Sequence, residues 1–158
     1  MNAPNLTNYL GDSLKNLEFD RYLLSIGIKE RPMGEDSTVF ISSGDRTLDL
    51  TFSEISIYSE QNLIKPKSNG KFILEALTFY TGYKYNLPLE LNFSLTEKEV
   101  ENILGNPRQS TRLSDGKISN IYLKDNLLIT VRFKRCDHGI EFVSIKVPDI
   151  FNQINGLT

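Results

Sequence analysis

The chain is short of the residues on which most enzyme sites depend. It has one cysteine, Cys136, one histidine, His138, and no tryptophan. A single thiol rules out an internal disulfide and suits a reducing compartment. One Cys and one His cannot complete a nitrogen–sulfur metal site, and residues two apart at a strand end rarely act as a nucleophile–base pair. No phosphate loop, dinucleotide fingerprint, HExxH or nucleophile elbow is present. The apolar runs are only a few residues long, too short to span a bilayer. The start, MNAPNLTNYLGDSLKN, lacks the basic and apolar regions of a secretory signal. A non-enzymatic cytoplasmic protein without metal or cofactor is the expectation.

What is present is ordinary globular material: 158 residues, 39% hydrophobic and 24% charged. That amounts to one domain, or two small halves sharing a core. The net charge of −2 is unevenly spread: residues 1–64 balance at −5, 65–92 at +2 and 93–158 at +1. The acidic first part argues against direct nucleic-acid binding there and permits a basic protein partner. A basic stripe of Arg112, Arg132, Lys134 and Arg135 is too short to argue for nucleic acid.

The best-defined local signal is Leu89–Pro107. Thr96 and Glu99 have capping-box spacing, Leu95, Val100, Ile103 and Leu104 form one apolar stripe, and Gly105 with Pro107 forms a stop. Residues 1–8 read as a frayed end. From Tyr9 to Gly27 two short helical pieces are expected, with Leu10, Leu14, Leu17 and Leu24 on one face. Thr38–Ser42, Thr47–Phe52 and Ile55–Ser59 alternate as an antiparallel three-stranded meander. Residues 61–92 read as a connecting segment, in which Phe72–Leu77 is ambiguous and Thr78–Tyr85 is rich in strand formers. Strands are expected again at Ile118–Lys124, Leu127–Lys134 and Glu141–Val147, with a partly extended stretch at Arg108–Ser114 and a short terminal helical turn.

Laying one pattern on the other places Leu17 on Leu95, Tyr22 on Val100, Ile26 on Leu104 and Gly27 on Gly105. The fold class expected is therefore α+β: an αβββ unit over 9–60 and a second over 93–150, with helices packed on one face of antiparallel sheets. Two such units sharing a core bury more surface than either alone.

The tyrosines admit two readings. Alternation buries some of Phe79, Tyr80, Tyr83 and Tyr85 against the sheet; alternatively they form a recognition surface, since tyrosine offers large contact area with a polar tip. Tyr58 and Tyr122 alternate away from the apolar faces of their expected strands, which suggests exposure.

One resemblance bears on function. Ile55–Glu60, then Tyr80-Thr81-Gly82, Leu87-Pro88-Leu89-Glu90-Leu91-Asn92-Phe93-Ser94, Glu99-Val100 and Leu104-Gly105-Asn106-Pro107 together resemble bacterial immunity proteins of polymorphic toxin systems. The group carries tandem units similar to the β-lactamase-inhibitor-protein fold, with a "Y-x-G…LP-x-x-L-x-F" lead into a helix ending "LG-x-P". The chain departs from it at Glu90, where the group has glycine. The matched residues are structural, so no inhibitory residues carry over. The resemblance implies two curved sheets with one face open, and stoichiometric inhibition of a cognate toxin domain in contact-dependent inhibition or a related route. Many such toxins are nucleases with basic grooves, which suits the acidic first segment. Candidate partner contacts are Glu35, Asp36, Asp49, Tyr58, Tyr80 and Tyr83. The rival readings are an adaptor, assembly or chaperone domain for an endogenous protein, and a small-molecule or enzyme domain.

Overall fold

The computed structural model describes residues 5–158. They form seven strands: β1 (Thr38–Ser42), β2 (Leu48–Glu54), β3 (Phe72–Tyr80), β4 (Gln109–Arg112), β5 (Ile118–Lys124), β6 (Leu127–Phe133) and β7 (Ile140–Lys146). Four α-helices accompany them: α1 (Leu17–Ser25), α2 (Ile55–Gln61), α3 (Glu97–Leu104) and α4 (Ile150–Ile154). All the strands lie in one antiparallel sheet, in the order β1-β2-β3-β7-β6-β5-β4. Two antiparallel meanders, the first with α2 inserted between β2 and β3, thus meet edge to edge where β3 pairs with β7. The expected pair of sheets is one continuous sheet, because the last strand of each meander satisfies the other's open edge.

Pleating divides the strand residues. Leu48, Leu50 and Phe52 of β2, Leu77 and Phe79 of β3, Val131 and Phe133 of β6, and Val143 and Ile145 of β7 are essentially inaccessible. They form one core with Phe19 and Leu23 of α1, Tyr58 of α2, and Val100 and Leu104 of α3. Those three helices therefore cover the same face of the sheet.

α3 forms as its sequence dictates. Thr96 Oγ1 accepts from the Glu99 amide at 3.2 Å, and the Glu99 carboxylate accepts from the Thr96 amide at 3.1 Å. Gly105 ends the helix at φ 87°, a conformation that side-chain-bearing residues avoid. α1 is capped by Asn16, whose side-chain oxygen accepts from the Glu18 and Phe19 amides. Its buried residues are Phe19 and Leu23, whereas Leu17 and Leu24 are 63% and 50% exposed, contrary to the expected stripe. The reason is a break in phase. Leu6–Tyr9 is a separate 3-10 turn, and Phe19 is drawn inward to stack on Tyr9 at 4.7 Å. That turn, with Leu6 and Tyr9 buried, also corrects the frayed-end reading from residue 5 onward, while residues 1–4 lie outside the described range.

Ile55–Ser59 is not a strand. The Glu54 carboxylate accepts from the Ser56 amide at 3.0 Å and caps α2, turning the chain out of the sheet. Tyr58, one helical turn after Ile55, then points into the core. The third strand of the first meander is β3, drawn from the 61–92 segment read as a connection. Both meanders carry a bulge at the same place. The β2–β3 register slips before Phe52, leaving Glu75 unpaired, and the β6–β7 register slips before Phe133, leaving Glu141 unpaired.

Two ties hold the connecting segments. Residues 11–12 pair with Leu74 through Gly11 N to Leu74 O and Leu74 N to Asp12 O, both 2.8 Å. The buried Asp12 carboxylate accepts from Asn16 Nδ2 (2.7 Å), Ser68 Oγ (2.6 Å) and the Ser13 amide (2.9 Å). Burial pushes its pKa up, but these bonds and nearby Lys67 outweigh that and leave it lowered. The second tie joins the segment before α3 to the β6–β7 loop, where Ile140 N donates to Phe93 O at 2.8 Å. Gly139 makes this approach possible, for a Cβ there would lie 2.4 Å from the Phe93 carbonyl oxygen.

Candidate functional site

The sheet face opposite the three helices is where the pleat sends the alternate residues. Direct cross-strand partners share a face, so the registers trace rows across it. One row runs Ser42, Asp49, Thr78, Ser144, Thr130, Ile121 from β1 to β5. The adjoining row runs Tyr80, Phe142, Arg132, Ser119 from β3 to β5. On the other side of the first row lie Phe40, Thr51, Ala76 and Lys146. The floor is thus small hydroxyl side chains flanked by aromatic and cationic ones.

The polar atoms are held in place. Tyr80 Oη donates to Asp49 Oδ2 at 3.0 Å, and Asp49 Oδ1 accepts from Ser42 Oγ at 2.6 Å. Thr78 Oγ1 donates to Ser144 Oγ at 3.1 Å. Burial, and then the Asp49 carboxylate, raise the Tyr80 pKa, so it remains a protonated donor near neutral pH. Its ring lies 6.0 Å from that of Phe142, over which the Arg132 guanidinium sits at 4.8 Å. Arg132 Nε is enclosed and has no hydrogen-bond partner among the described residues. Phe40, 70% exposed on the outer strand, ends the face with an unburied aromatic.

Asp49 and Tyr80, two of the six candidate contacts, therefore meet on this face. The other four lie elsewhere. Tyr58 is wholly inaccessible on α2, because the segment is a helix, and so presents no contact surface. Tyr122 is buried on the covered face beneath α3, its hydroxyl accepting from Asn120 Nδ2 at 3.0 Å, which corrects the expectation of exposure. Tyr83 follows the end of β3, half-buried against Phe79 and Tyr85 with centroids 5.0 and 5.6 Å away. Glu35 and Asp36 are exposed in the loop before β1, where the Glu35 carboxylate lies 3.7 Å from Lys71 Nζ. Phe142 and Arg132 were missed as contacts. The signal for Phe142 was present: Val143, Ile145 and Val147 turn inward, which leaves it on the opposite face.

Charge is graded across the sheet. Residues 29–54, which contain β1 and β2, hold six Asp/Glu against three Lys/Arg. Residues 108–135, which contain β4 to β6, hold seven Lys/Arg against two Asp/Glu. Cys136 and His138 are exposed in the β6–β7 loop, and no group of three potential metal ligands occurs among the described residues. No helix among them is long and apolar enough to cross a membrane.

No protein-family profile and no curated protein matches the chain by sequence. Its backbone is similar to that of a cysteine-rich secretory protein from Staphylococcus aureus, with a TM-score of 0.50 at 15% identity over 90% of this chain. The match covers 44% of that protein, so the chain spans less than half of its length. A DUF4309 family protein from Bacillus subtilis aligns with a TM-score of 0.42 at 14% identity, over 81% of this chain and 76% of that one. The first likeness is one of fold alone. The chain is an α+β protein with helices packed against a seven-stranded antiparallel sheet.

Proposed function

We propose that the chain is a non-catalytic binding protein of the toxin-immunity type, which neutralises a cognate toxin domain by laying its open sheet face over the toxin's active site or substrate groove. The observation that carries this reading is the Tyr80–Phe142–Arg132 row beside the Thr78–Ser144 floor. Aromatic rings and an arginine, already restrained by their neighbours, lose little freedom on contact, and such residues dominate protein interfaces. Hydroxyl groups around them supply hydrogen bonds without a large dehydration cost. The acidic β1–β2 end would face a basic patch of the partner, as a nuclease groove would provide, and Arg132 would face an acidic group. The matching bulges at Glu75 and Glu141 support the further reading that the chain is a tandem of two similar units.

The test is genetic and then biochemical. The product of the reading frame neighbouring that of this chain, as the candidate toxin, is expressed with and without it. Survival only in the presence of the chain, with a stable one-to-one complex, supports the reading. Death in both cases with no complex overturns it and leaves the adaptor alternative.

A further inference from the structure

A cleft of about 260 Å³ opens at the end of the first meander. Its walls come from the C-terminal end of α1 (Ile26, Gly27), the β1–β2 turn (Gly44, Asp45) and the loop after β3 (Tyr83, Tyr85). Three of its features favour a cation. The Tyr83 and Tyr85 rings meet edge to face, so they present π-surfaces at different angles. The last turn of α1 contains no basic residue, so no charged side chain there offsets the negative end of the helix dipole. Asp45 is the third. Its Oδ1 accepts from Thr47 Oγ1 (2.7 Å), Ser43 Oγ (2.8 Å) and the Thr47 amide (3.1 Å). These bonds fix the carboxylate and hold its pKa at about 2. Among the described residues its Oδ2 has no hydrogen-bond partner and Asp45 forms no ion pair, although the Lys84 charge acts on it more weakly.

We propose that this cleft receives the guanidinium of an arginine side chain projecting from the protein partner, stacked on Tyr83 or Tyr85 and bound by the free Oδ2 of Asp45. The inference rests on the binding role proposed above and specifies one anchor of the partner. A planar fork matches a carboxylate and stacks on aromatic faces better than an ammonium does. Lys84 also lines the cleft and opposes a cation, which makes it a diagnostic position. Gly44 is another: a Cβ there meets nothing within 4 Å and its backbone is not in the left-handed region, so a large side chain can fill the cleft without strain.

The full chain is titrated with N-acetyl-arginine amide while backbone amide signals are followed by NMR, with N-acetyl-citrulline amide and N-acetyl-glutamate amide as neutral and anionic controls. Arginine is expected to shift Gly27, Gly44 and Tyr85 saturably, about tenfold more tightly than citrulline, since only the guanidinium makes a charge-assisted bond. Asp45→Asn should weaken it several-fold, Lys84→Ala should strengthen it, and Gly44→Trp should abolish it in a protein whose remaining spectrum is unchanged. Equal binding of citrulline, preference for glutamate, or arginine binding that survives Gly44→Trp would overturn the proposal. The rescue experiment reads separately. Rescue by the wild-type chain without arginine binding sinks the cleft and leaves the open-face reading standing.

Discussion

The same strands build both faces of the sheet, and the two differ less in the kinds of residue present than in how those residues are covered. Phe52 and Phe133 on the helix-covered face are inaccessible, whereas Phe142 on the open face is half-buried and Phe40 is 70% exposed. Tyrosine is divided the same way: Tyr122 lies under α3, while Tyr80 lies among hydroxyl groups. An aromatic ring on the covered face stabilises by removing its whole surface from water. On the open face it leaves an area that only a partner can cover. Strand alternation therefore encodes stability on one side and leaves, on the other, the uncovered rings on which the proposed recognition rests.

The largest expected effect tests that division directly. Phe52→Ala should cost about 3–5 kcal/mol in denaturant unfolding, the range for deleting a buried ring. Phe142→Ala should cost less than about 1.5 kcal/mol, because its surroundings are already partly solvent. Similar losses for the two would erase the distinction between the faces.

The next effect concerns the tie that binds the N-terminal segment to β3. Asp12→Asn should lose about 2 kcal/mol at pH 7, the scale of hydrogen bonds to a charged group. The folded pKa of Asp12 lies below its ordinary value of 3.8. Its contribution is therefore complete above the unfolded value and is lost as pH falls through the folded one. Unfolding curves of the two proteins should converge as pH drops below about 4. A gap that persists in acid would mean that the carboxylate charge is not what the site uses.

The smallest effect is a gain. Leu89 and Glu90 both have φ 62°, in the left-handed region, just before Leu91 enters the core. Glu90→Gly should stabilise the chain by about 1 kcal/mol, as the left-handed penalty is removed. Because Glu90 lies in the segment between β3 and α3, outside the strand rows of the open face, binding through that face should not change. A loss of stability would mean that the Glu90 side chain contributes more than its backbone strain costs.

Parts of the molecule differ in how far they could be read from its residues. α3 was legible because each of its determinants, Thr96, Glu99, Gly105 and Pro107, acts within one or two turns. The strands with clean alternation were legible for the same reason. α2 was not legible, since Ile55-Ser56-Ile57 alternates like a strand and only the Glu54 cap decides otherwise. The joining of β3 to β7 depends on residues 66 apart in sequence, such as Thr78 and Ser144, and no local pattern announces it. That pairing also places Phe142 beside Tyr80, so the open-face row could not be assembled before the topology was known. The cleft is further still from the sequence: three separate segments, the end of α1, the β1–β2 turn and the loop after β3, build it.

The open face as the binding face is tested most directly by one comparison of affinities. Calorimetry with the purified cognate toxin domain is run for the wild-type chain, for Phe142→Asp on the open face and for Leu24→Asp on the solvent side of α1. Neither residue is in the core, so both variants should remain folded. The proposed interface predicts at least tenfold weaker binding for Phe142→Asp, the scale of losing an interface hot spot, and no change for Leu24→Asp. Unaltered binding of Phe142→Asp, with the loss falling instead on Leu24→Asp, would contradict it and move the interface to the helices.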